Sequence, residues 1–239
     1  ANAATNLITN GSFENGNWGG TDSFVNSNNA SNLMFWNTQV ADWTPNSNST
    51  WIQDPLRSSD GNRMVWLGPP GAPFFTPITY ISQTVAASGL TSGQSYHFSL
   101  DYDFFDRNDP SNTMSMDSSL KVYYILGMNM DMGGGNIMLM DDLNTETTLL
   151  TQTGMTDTWN DPSGLMWTQG GADFVMPDMT GFDYLRIYIA APPNSVQTPS
   201  MGVLVDNLGL SVVAVPEPGS LFLAAAGCAR LMSRRRRAA

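Results

Sequence analysis

The sequence is short of cysteine, histidine, glutamate and charged residues in general. Its 239 residues include one cysteine, one histidine and three glutamates, and only 13% of them are Asp, Glu, Lys or Arg. The single Cys228 excludes a disulfide framework, and the single His97 excludes a histidine-rich metal centre. So little charge also leaves few residues for helices with charged outer faces. These absences favour β-structure joined by uncharged polar loops.

Catalytic signatures are also missing. The sequence has no Gly-x-Ser-x-Gly elbow and no His-Glu-x-x-His motif. A glycoside hydrolase needs two acids about 5–10 Å apart in a cleft, and the only glutamates are Glu14, Glu146 and Glu217. A Ser-His-Asp triad would depend on His97, which we expect on the polar surface of a strand. The sequence therefore predicts a protein that is not an enzyme.

Positive charge is scarce in most of the chain. Residues 1–215 contain 20 acidic and 5 basic residues, whereas residues 216–239 contain one glutamate and five arginines. An acidic body repels phosphate backbones, which argues against a nucleic-acid partner. It suits an extracellular protein or one that binds divalent cations.

What the sequence does contain is a series of short apolar or alternating runs between turn residues, with no long amphipathic helix. In the run 95–105, aromatic and apolar residues alternate with polar ones, as a half-buried strand requires. The predicted strands are Leu7–Ile8, Val40–Trp43, Met64–Leu67, Tyr80–Val85, Ser95–Phe105, Ser119–Leu126, Ile137–Asp141, Ala172–Met176, Tyr184–Ala190 and Val203–Val213. Polar stretches at 15–32, 106–118 and 127–136 are predicted to be long loops. The fold prediction is all-β: one jelly-roll β-sandwich with loop insertions.

The C-terminal region combines three features in a fixed order: Pro216-Glu217-Pro218, an apolar stretch at 221–232, and a cluster of arginines at 234–237. This arrangement resembles the PEP-CTERM sorting signal. The resemblance implies export, recognition and removal of the tail by an exosortase, and a cell-surface or matrix location. Twelve residues interrupted by Arg230 are too short for a lasting span, which needs roughly 20, so we expect transient contact with the inner membrane. The chain's first residue is expected to follow a removed signal peptide.

The body resembles galactose-binding-like jelly rolls, in particular bacterial carbohydrate-binding modules and proteins of the DUF642 type. The matching pieces include Asn-Gly-Ser-Phe-Glu at 10–14, Val-Ala-Asp-Trp at 40–43, Gly-Asn-Arg-Met-Val-Trp at 61–66 and Val-Asp-Asn-Leu at 205–208. The resemblance implies two parts, a sandwich at 1–212 and a sorting tail at 213–239. It also implies a structural Ca²⁺ bound by Glu14 and Asp206 where the first and last strands meet; carboxylate and carbonyl oxygens are the ligands that Ca²⁺ prefers.

Tryptophans are the candidate carbohydrate platform, because sugar rings stack their C–H faces on aromatic rings. Trp43 and Trp66 match core positions of the family, so we expect them to be buried. The platform candidates near polar loops are Trp36, Trp51, Trp159 and Trp167. The resulting hypothesis is a non-catalytic protein that binds exopolysaccharide.

Fifteen methionines are an unusual number for this length, and several flank Gly133-Gly-Gly135. We expect a hairpin that uses methionine as apolar filler. An adaptable contact surface comes second and ligation of Cu(I) by thioethers comes third. A contact surface would fit the alternative function, a subunit that self-associates into an extracellular filament, sheath or surface layer.

Overall fold

The computed structural model describes residues 5–14, 22–23, 33–36, 43–45, 49–53, 58–61, 63–67, 79–106, 117–155, 157–158, 166–191 and 201–213. Within these residues the structure is built from 13 strands and one 3-10 turn at Ala87–Gly89. The strands are β1 Asp22–Ser23, β2 Leu33–Trp36, β3 Thr44–Pro45, β4 Ser49–Gln53, β5 Arg63–Leu67, β6 Thr79–Ala86, β7 Ser95–Asp106, β8 Asp117–Asp131, β9 Ile137–Met155, β10 Asp157–Thr158, β11 Thr168–Val175, β12 Tyr184–Ala191 and β13 Met201–Val212. No helix among the described residues is long and apolar enough to cross a membrane.

The strands form two sheets. The first has the order β1-β2-β4-β5-β13-β7-β10, with β11 also paired to β7, and the second has the order β3-β6-β12-β8-β9. Nearly all pairings are antiparallel; the short β10 pairs parallel to β7. The predicted all-β jelly-roll sandwich is therefore confirmed.

The core lies between the sheets and follows the alternation of the sequence. In β7 the side chains of Tyr96, Phe98, Leu100, Tyr102 and Phe104 are buried in it, as the pattern predicted. From the second sheet, alternate residues of β6, β8 and β12 pack against them. Because strand side chains alternate between faces, the remaining residues of these three strands lie on the other face of the second sheet.

The beginning and the end of the sandwich lie side by side. The backbone N–H of Leu7 donates to the carbonyl of Leu210 at 2.7 Å, and that of Leu208 donates to the carbonyl of Gly11 at 3.1 Å. The Asn6 amide donates to the Leu208 carbonyl and accepts from the Leu210 N–H. Leu7–Ile8 itself is not a strand, so this predicted element is replaced by a hydrogen-bonded segment.

The prediction of a loop at 127–136 was wrong. Strand β8 continues to Asp131, and β9 runs from Ile137 to Met155, well beyond the predicted end at Asp141. A tight turn joins them, with Gly133, Gly134 and Gly135 all at positive φ. The second half of β9 is rich in threonine and carries no regular apolar alternation; β9 is the edge strand of its sheet, and Leu149 and Leu150 are its residues that pack against the core.

Methionine is also not core filler in this hairpin. Met128, Met130, Met132, Met138 and Met140 are all exposed. Strand β12 pairs with β8 only as far as Gly127, so the paired residues 128–131 and 137–140 form a two-stranded ribbon beyond the end of β12. Methionines exposed on such a ribbon are placed to form a contact surface or to bind a ligand, the two alternatives named from the sequence.

Candidate functional site

The face of the second sheet turned away from the core is rich in tyrosine and carries paired charges. We call it the tyrosine face. It comprises Tyr80, Thr84, Lys121, Tyr123, Asp141, Glu146, Tyr184, Arg186 and Tyr188. These residues come from β6, β8, β9 and β12, and none of them belongs to the core cluster between the sheets.

Asp141 is the centre of this face. Its Oδ1 accepts a hydrogen bond from the Tyr184 hydroxyl at 2.8 Å, and its Oδ2 accepts from Arg186 Nη1 at 3.0 Å and from the Tyr188 hydroxyl. Tyr184, Arg186 and Tyr188 are alternate residues of β12, so one strand supplies all three donors. The side chains of Arg186 and Asp141 are 17% and 14% exposed, which leaves the pair within reach of a ligand.

Three tyrosines form a row beside this centre. The rings of Tyr123 and Tyr188 are stacked, with centroids 5.0 Å apart and planes 5° from parallel. Tyr80 meets Tyr188 edge-on at 5.4 Å. The two rings at the ends of the row, Tyr80 and Tyr123, are half-buried and so retain accessible surface.

A second ion pair lies at the edge of the face. Lys121 Nζ is 2.6 Å from Glu146 Oε1 and 4.8 Å from the centroid of the Tyr123 ring. The Arg186 guanidinium similarly lies 5.2 Å from the Tyr184 ring centroid. Each cation therefore contacts both a carboxylate and a ring, which fixes its position on the tyrosine face.

Burial keeps the tyrosine hydroxyls protonated. Burial and, as the next largest cause, the hydrogen bond to Asp141 together raise the pKa of Tyr188 to about 12, against the opposing effect of Arg186. Burial likewise raises the pKa of Tyr123 to about 12, with a smaller contribution from Glu146. Tyr184 shifts in the same direction, through burial and Asp141. The tyrosine hydroxyls therefore stay protonated, and can donate hydrogen bonds, over the pH range in which proteins are usually studied.

The two residues predicted to bind calcium both contact the turn at 58–61. Oδ2 of Asp206 accepts from the backbone N–H groups of Ser59 and Asp60 at 2.9 Å each, and from the Ser59 hydroxyl at 3.2 Å. Glu14 lies against Gly61, where an added Cβ would be 2.4 Å from Glu14 Oε1. The sequence prediction placed these two carboxylates where the first and last strands meet; in the structure each of them contacts the turn at 58–61.

The fit of this region to Ca²⁺ is partial. Burial raises the pKa of Asp206 to about 7 against the effect of its hydrogen bonds, and a bound cation would offset the cost of burying that charge. Oδ1 accepts one backbone hydrogen bond, from Asn207. Against this, Arg63 donates to the Glu14 carbonyl, and the described residues contain no group of three or more His, Cys, Asp or Glu side chains placed to bind a metal. Calcium at Glu14 and Asp206 stays a prediction.

Most of the predicted tryptophan platform lies outside the described part of the structure. Trp36 is the last residue of β2, and Trp51 lies within β4. The side chains of these two residues are not among the described parts of the structure. Trp167 precedes β11 and is half-buried. Trp159 and the sorting motif Pro216, Glu217 and Pro218 lie outside the described residues. Their predicted roles stay predictions.

Three other predictions are confirmed. Trp43 and Trp66 are both buried, as their family positions indicated. His97 is exposed, and its Nδ1 is 2.6 Å from Asp173 Oδ1 on the neighbouring strand β11.

The tyrosine face was missed by sequence reasoning, although its signal was present. The run Tyr-Leu-Arg-Ile-Tyr at 184–188 alternates apolar residues with Tyr184, Arg186 and Tyr188. The prediction used this alternation to identify a strand and looked for aromatic ligands only among tryptophans. Asp141 could not be found in the same way, because its place depends on the pairing of β8 with β9.

No protein-family model matches the sequence, and no curated protein matches it either. Among solved structures, the chain is similar to a xylan-binding domain of carbohydrate-binding module family 22, with 11% identity, a TM-score of 0.46, and 85% of this chain and 99% of that one covered. It is also similar to a family 16 carbohydrate-binding module, with 15% identity, a TM-score of 0.39, and 86% and 99% covered. A Stig cyclase from Fischerella sp. TAU, solved with an indole ligand, gives 12% identity, a TM-score of 0.49, and 90% and 100% covered. These neighbours include both binding modules and enzymes, so function has to be argued from the site.

Proposed function

We propose that the chain is a non-catalytic polysaccharide-binding protein and that the tyrosine face is its binding surface. The observation that carries the proposal is the network in which Asp141 accepts hydrogen bonds from Tyr184, Tyr188 and Arg186. Carbohydrate sites combine aromatic surface with a few fixed polar groups. This face provides both, on strands rather than on loops, so the groups are held in place before a ligand arrives.

The same contacts favour binding over catalysis. A glycosidase needs one carboxylic acid that can give up a proton and another that attacks or activates water. On the tyrosine face Asp141 is paired with Arg186, and Glu146 is paired with Lys121. Each acid is therefore held beside a cation, an arrangement that suits hydrogen bonding to sugar hydroxyls.

Affinity electrophoresis through gels containing neutral or acidic polysaccharides tests the proposal. Tyr80→Ala and Tyr123→Ala each remove half-buried ring surface at an end of the row, and we expect either to weaken retention about tenfold, or about 1.4 kcal/mol. Val175→Ala, at an exposed position of β11 in the other sheet, is the matched control. Retention that falls with Trp167→Ala but not with the tyrosine variants would move the site to the predicted tryptophan platform. An absence of retention on every polysaccharide would overturn the proposal.

We further propose that the protein acts outside the cell, at the surface or in the biofilm matrix. Support comes from the Pro216-Glu217-Pro218 tail, its resemblance to exosortase substrates, and the acidic body. Mass spectrometry of the protein recovered from the medium of its native host is the test. Loss of the tail in that material is expected, and retention of an intact tail with the protein inside the cell would contradict the proposal.

Self-assembly is the second candidate, and a specific observation favours it. Most of the large apolar side chains exposed in the described residues lie on or next to the ribbon: Met128, Met130, Met132, Ile137, Met138, Leu139, Met140 and Leu143. Taking roughly 200 Å² per residue, they expose about 800 Å² over the two faces of the ribbon together, which reaches the area that each partner of a stable dimer buries if the second copy covers both faces. The occupant would be a second copy pairing along edge strand β9.

Light scattering at increasing concentration tests self-assembly. A Leu139→Lys variant places a charge on β9 and is expected to abolish any concentration-dependent increase in mass. A protein that stays monomeric at every concentration would overturn the idea and leave the polysaccharide proposal untouched.

A further inference from the structure

The ribbon carries its sulfur on one face. In the β8–β9 register Met128 is directly opposite Met140, and Met130 is directly opposite Met138. Directly opposed residues of an antiparallel pair share a face, with Cβ atoms about 4.5–5.5 Å apart. Since alternate residues of a strand also share a face, the four methionines form one cluster of two cross-strand pairs. We call it the methionine face.

The other face of the same ribbon has no methionine. There Asn129 is opposite Leu139, and Asp131 is opposite Ile137. If the ribbon needed only apolar side chains, leucine and isoleucine would serve on both faces, yet they occur only on this one. All four methionines lie on one face, and the leucine and the isoleucine lie on the other. Hydrophobicity alone does not account for this separation, because it does not distinguish methionine from leucine.

The side chains of the methionine face are accessible, and the backbone that carries them is held by hydrogen bonds. Its four side chains are between 38% and 45% exposed. The turn at the tip is closed by hydrogen bonds from Met132 N–H to the Asn136 carbonyl at 2.8 Å and from Gly133 N–H to Asp131 Oδ1 at 2.7 Å. At the base, Asn129 N–H donates to Asp183 Oδ2 at 2.7 Å. The backbone positions are thus fixed while the thioethers remain free to rotate.

We propose that the methionine face binds one soft monovalent metal ion, Cu(I) being the physiological candidate. Thioethers are soft ligands that select Cu(I) over harder cations. Methionine has three rotatable side-chain bonds, so sulfurs attached to two adjacent cross-strand pairs can converge on one ion. Three or four neutral sulfurs leave the ion its single positive charge, which the acidic body of the protein tolerates.

Titration with Ag⁺ tests the proposal without redox chemistry, because Ag⁺ is a stable soft stand-in for Cu(I). The full-length protein carries Cys228→Ser, since a free thiol would take up the ion, and the buffer is free of chloride. Calorimetry is expected to give one Ag⁺ per chain with an affinity in the micromolar range, and native mass spectrometry the same stoichiometry. A parent protein that binds no Ag⁺ would overturn the proposal.

The decisive variant replaces sulfur and keeps the apolar bulk. Met130→Leu with Met138→Leu is expected to weaken Ag⁺ binding at least tenfold, whereas Met166→Leu, at an exposed methionine away from the ribbon, is expected to have no effect. Equal binding by the ribbon variant and the parent would overturn the proposal. Leucine would leave self-assembly along β9 intact, so the two ideas are separable.

A second measurement needs no variant of the ribbon. In protein labelled with ¹³C at the methionine methyl groups, Ag⁺ is expected to shift the resonances of Met128, Met130, Met138 and Met140 and few others. Shifts spread over the buried methionines, or none at all, would contradict the site. Anaerobic competition with a coloured Cu(I) chelator then extends the result to copper, and failure to compete would restrict the site to Ag⁺ and overturn the physiological assignment.

Discussion

The backbone N–H of Leu208 donates to the carbonyl of Gly11, and this bond joins the beginning of the sandwich to its last strand. It forms where β13 bulges between Asp206 and Gly209 in its pairing with β7. Asn207 within the bulge has a positive φ of 49°. The bulge displaces Leu208 from the β7 ladder and leaves its N–H available for the N-terminal segment.

Gly11→Ala is expected to open this junction. An added Cβ would be 2.1 Å from the Leu208 carbonyl oxygen, so backbone has to move, and we expect a loss of about 2–3 kcal/mol in the free energy of unfolding. Thermal unfolding measures it. Gly89→Ala is the matched control, because no atom lies within 4 Å of its added Cβ. Equal melting temperatures for the two variants would show that the junction does not support the fold.

Asp206 is expected to make stability depend on pH when no cation is bound. An unfolded aspartate has a pKa of 3.8, whereas burial raises that of Asp206 to about 7. The folded state therefore binds one more proton between these values, so the stabilisation is complete below about pH 4 and is lost as pH rises through about 7. Melting temperatures in a chelator should fall from pH 5 to pH 8, and Asp206→Asn should remove this contribution.

Calcium is expected to change that dependence. A bound cation favours the ionised form of Asp206 and lowers its pKa, so saturating Ca²⁺ should raise the melting temperature at pH 8 and flatten the slope. Glu14→Gln should weaken the response if Glu14 is a ligand. The same slope with and without Ca²⁺ would contradict the calcium prediction and leave Asp206 as the acceptor that secures the 58–61 turn.

Asp141→Asn is expected to disturb the tyrosine face without altering its shape. The amide removes the negative charge that faces Arg186 and replaces one acceptor by a donor opposite a tyrosine hydroxyl. We expect a loss of about 1–3 kcal/mol in stability together with weaker polysaccharide retention. Asp142→Asn changes the adjacent residue, whose Oδ1 accepts from Asn144, and should affect neither. A destabilised variant with unchanged retention would separate folding from binding and exclude Asp141 from the site.

Polysaccharide binding at the tyrosine face is expected to be insensitive to pH between about 6 and 9. The pKa values of Tyr123 and Tyr188 lie near 12, so both hydroxyls stay protonated over this range. Retention measured at several pH values checks this with the parent protein. A steep change within the range would show that a group outside the tyrosine row controls binding.

The sandwich was largely predictable because its strongest strands alternate visibly. The residues of β7 that the pattern placed inward are in the core, and β12 is a strand as its composition predicted. The pairing of the strands was harder to predict from the sequence. The tyrosine face needs β6, β8, β9 and β12 in register, and the Thr-rich part of β9 carries no periodic signal because one side of an edge strand has no neighbour to select apolar residues.

The exposure of the methionines in the ribbon also depends on strand pairing and could not be predicted from the sequence. The ribbon's composition was evident at 128–140, and the hairpin was predicted from the three glycines. Whether the methionines were buried could not be decided, since that depends on β12 pairing only to Gly127 while β8 continues. Whether a side chain is buried depends on the strands packed around it, and methionines occur both in cores and on surfaces.

The antiparallel course of the Leu7 and Gly11 contacts has a mechanical consequence. Residues 5 and 213 leave the body at the same end, because Leu7 pairs with Leu210 and Gly11 with Leu208. A force that pulls residues 5 and 213 apart would break the Leu7–Leu210 and Leu208–Gly11 hydrogen bonds one after the other. The N-terminal segment would therefore detach from β13 at low force. A molecule held through its C-terminal end alone transmits no load across this seam, because its N-terminal segment carries no force.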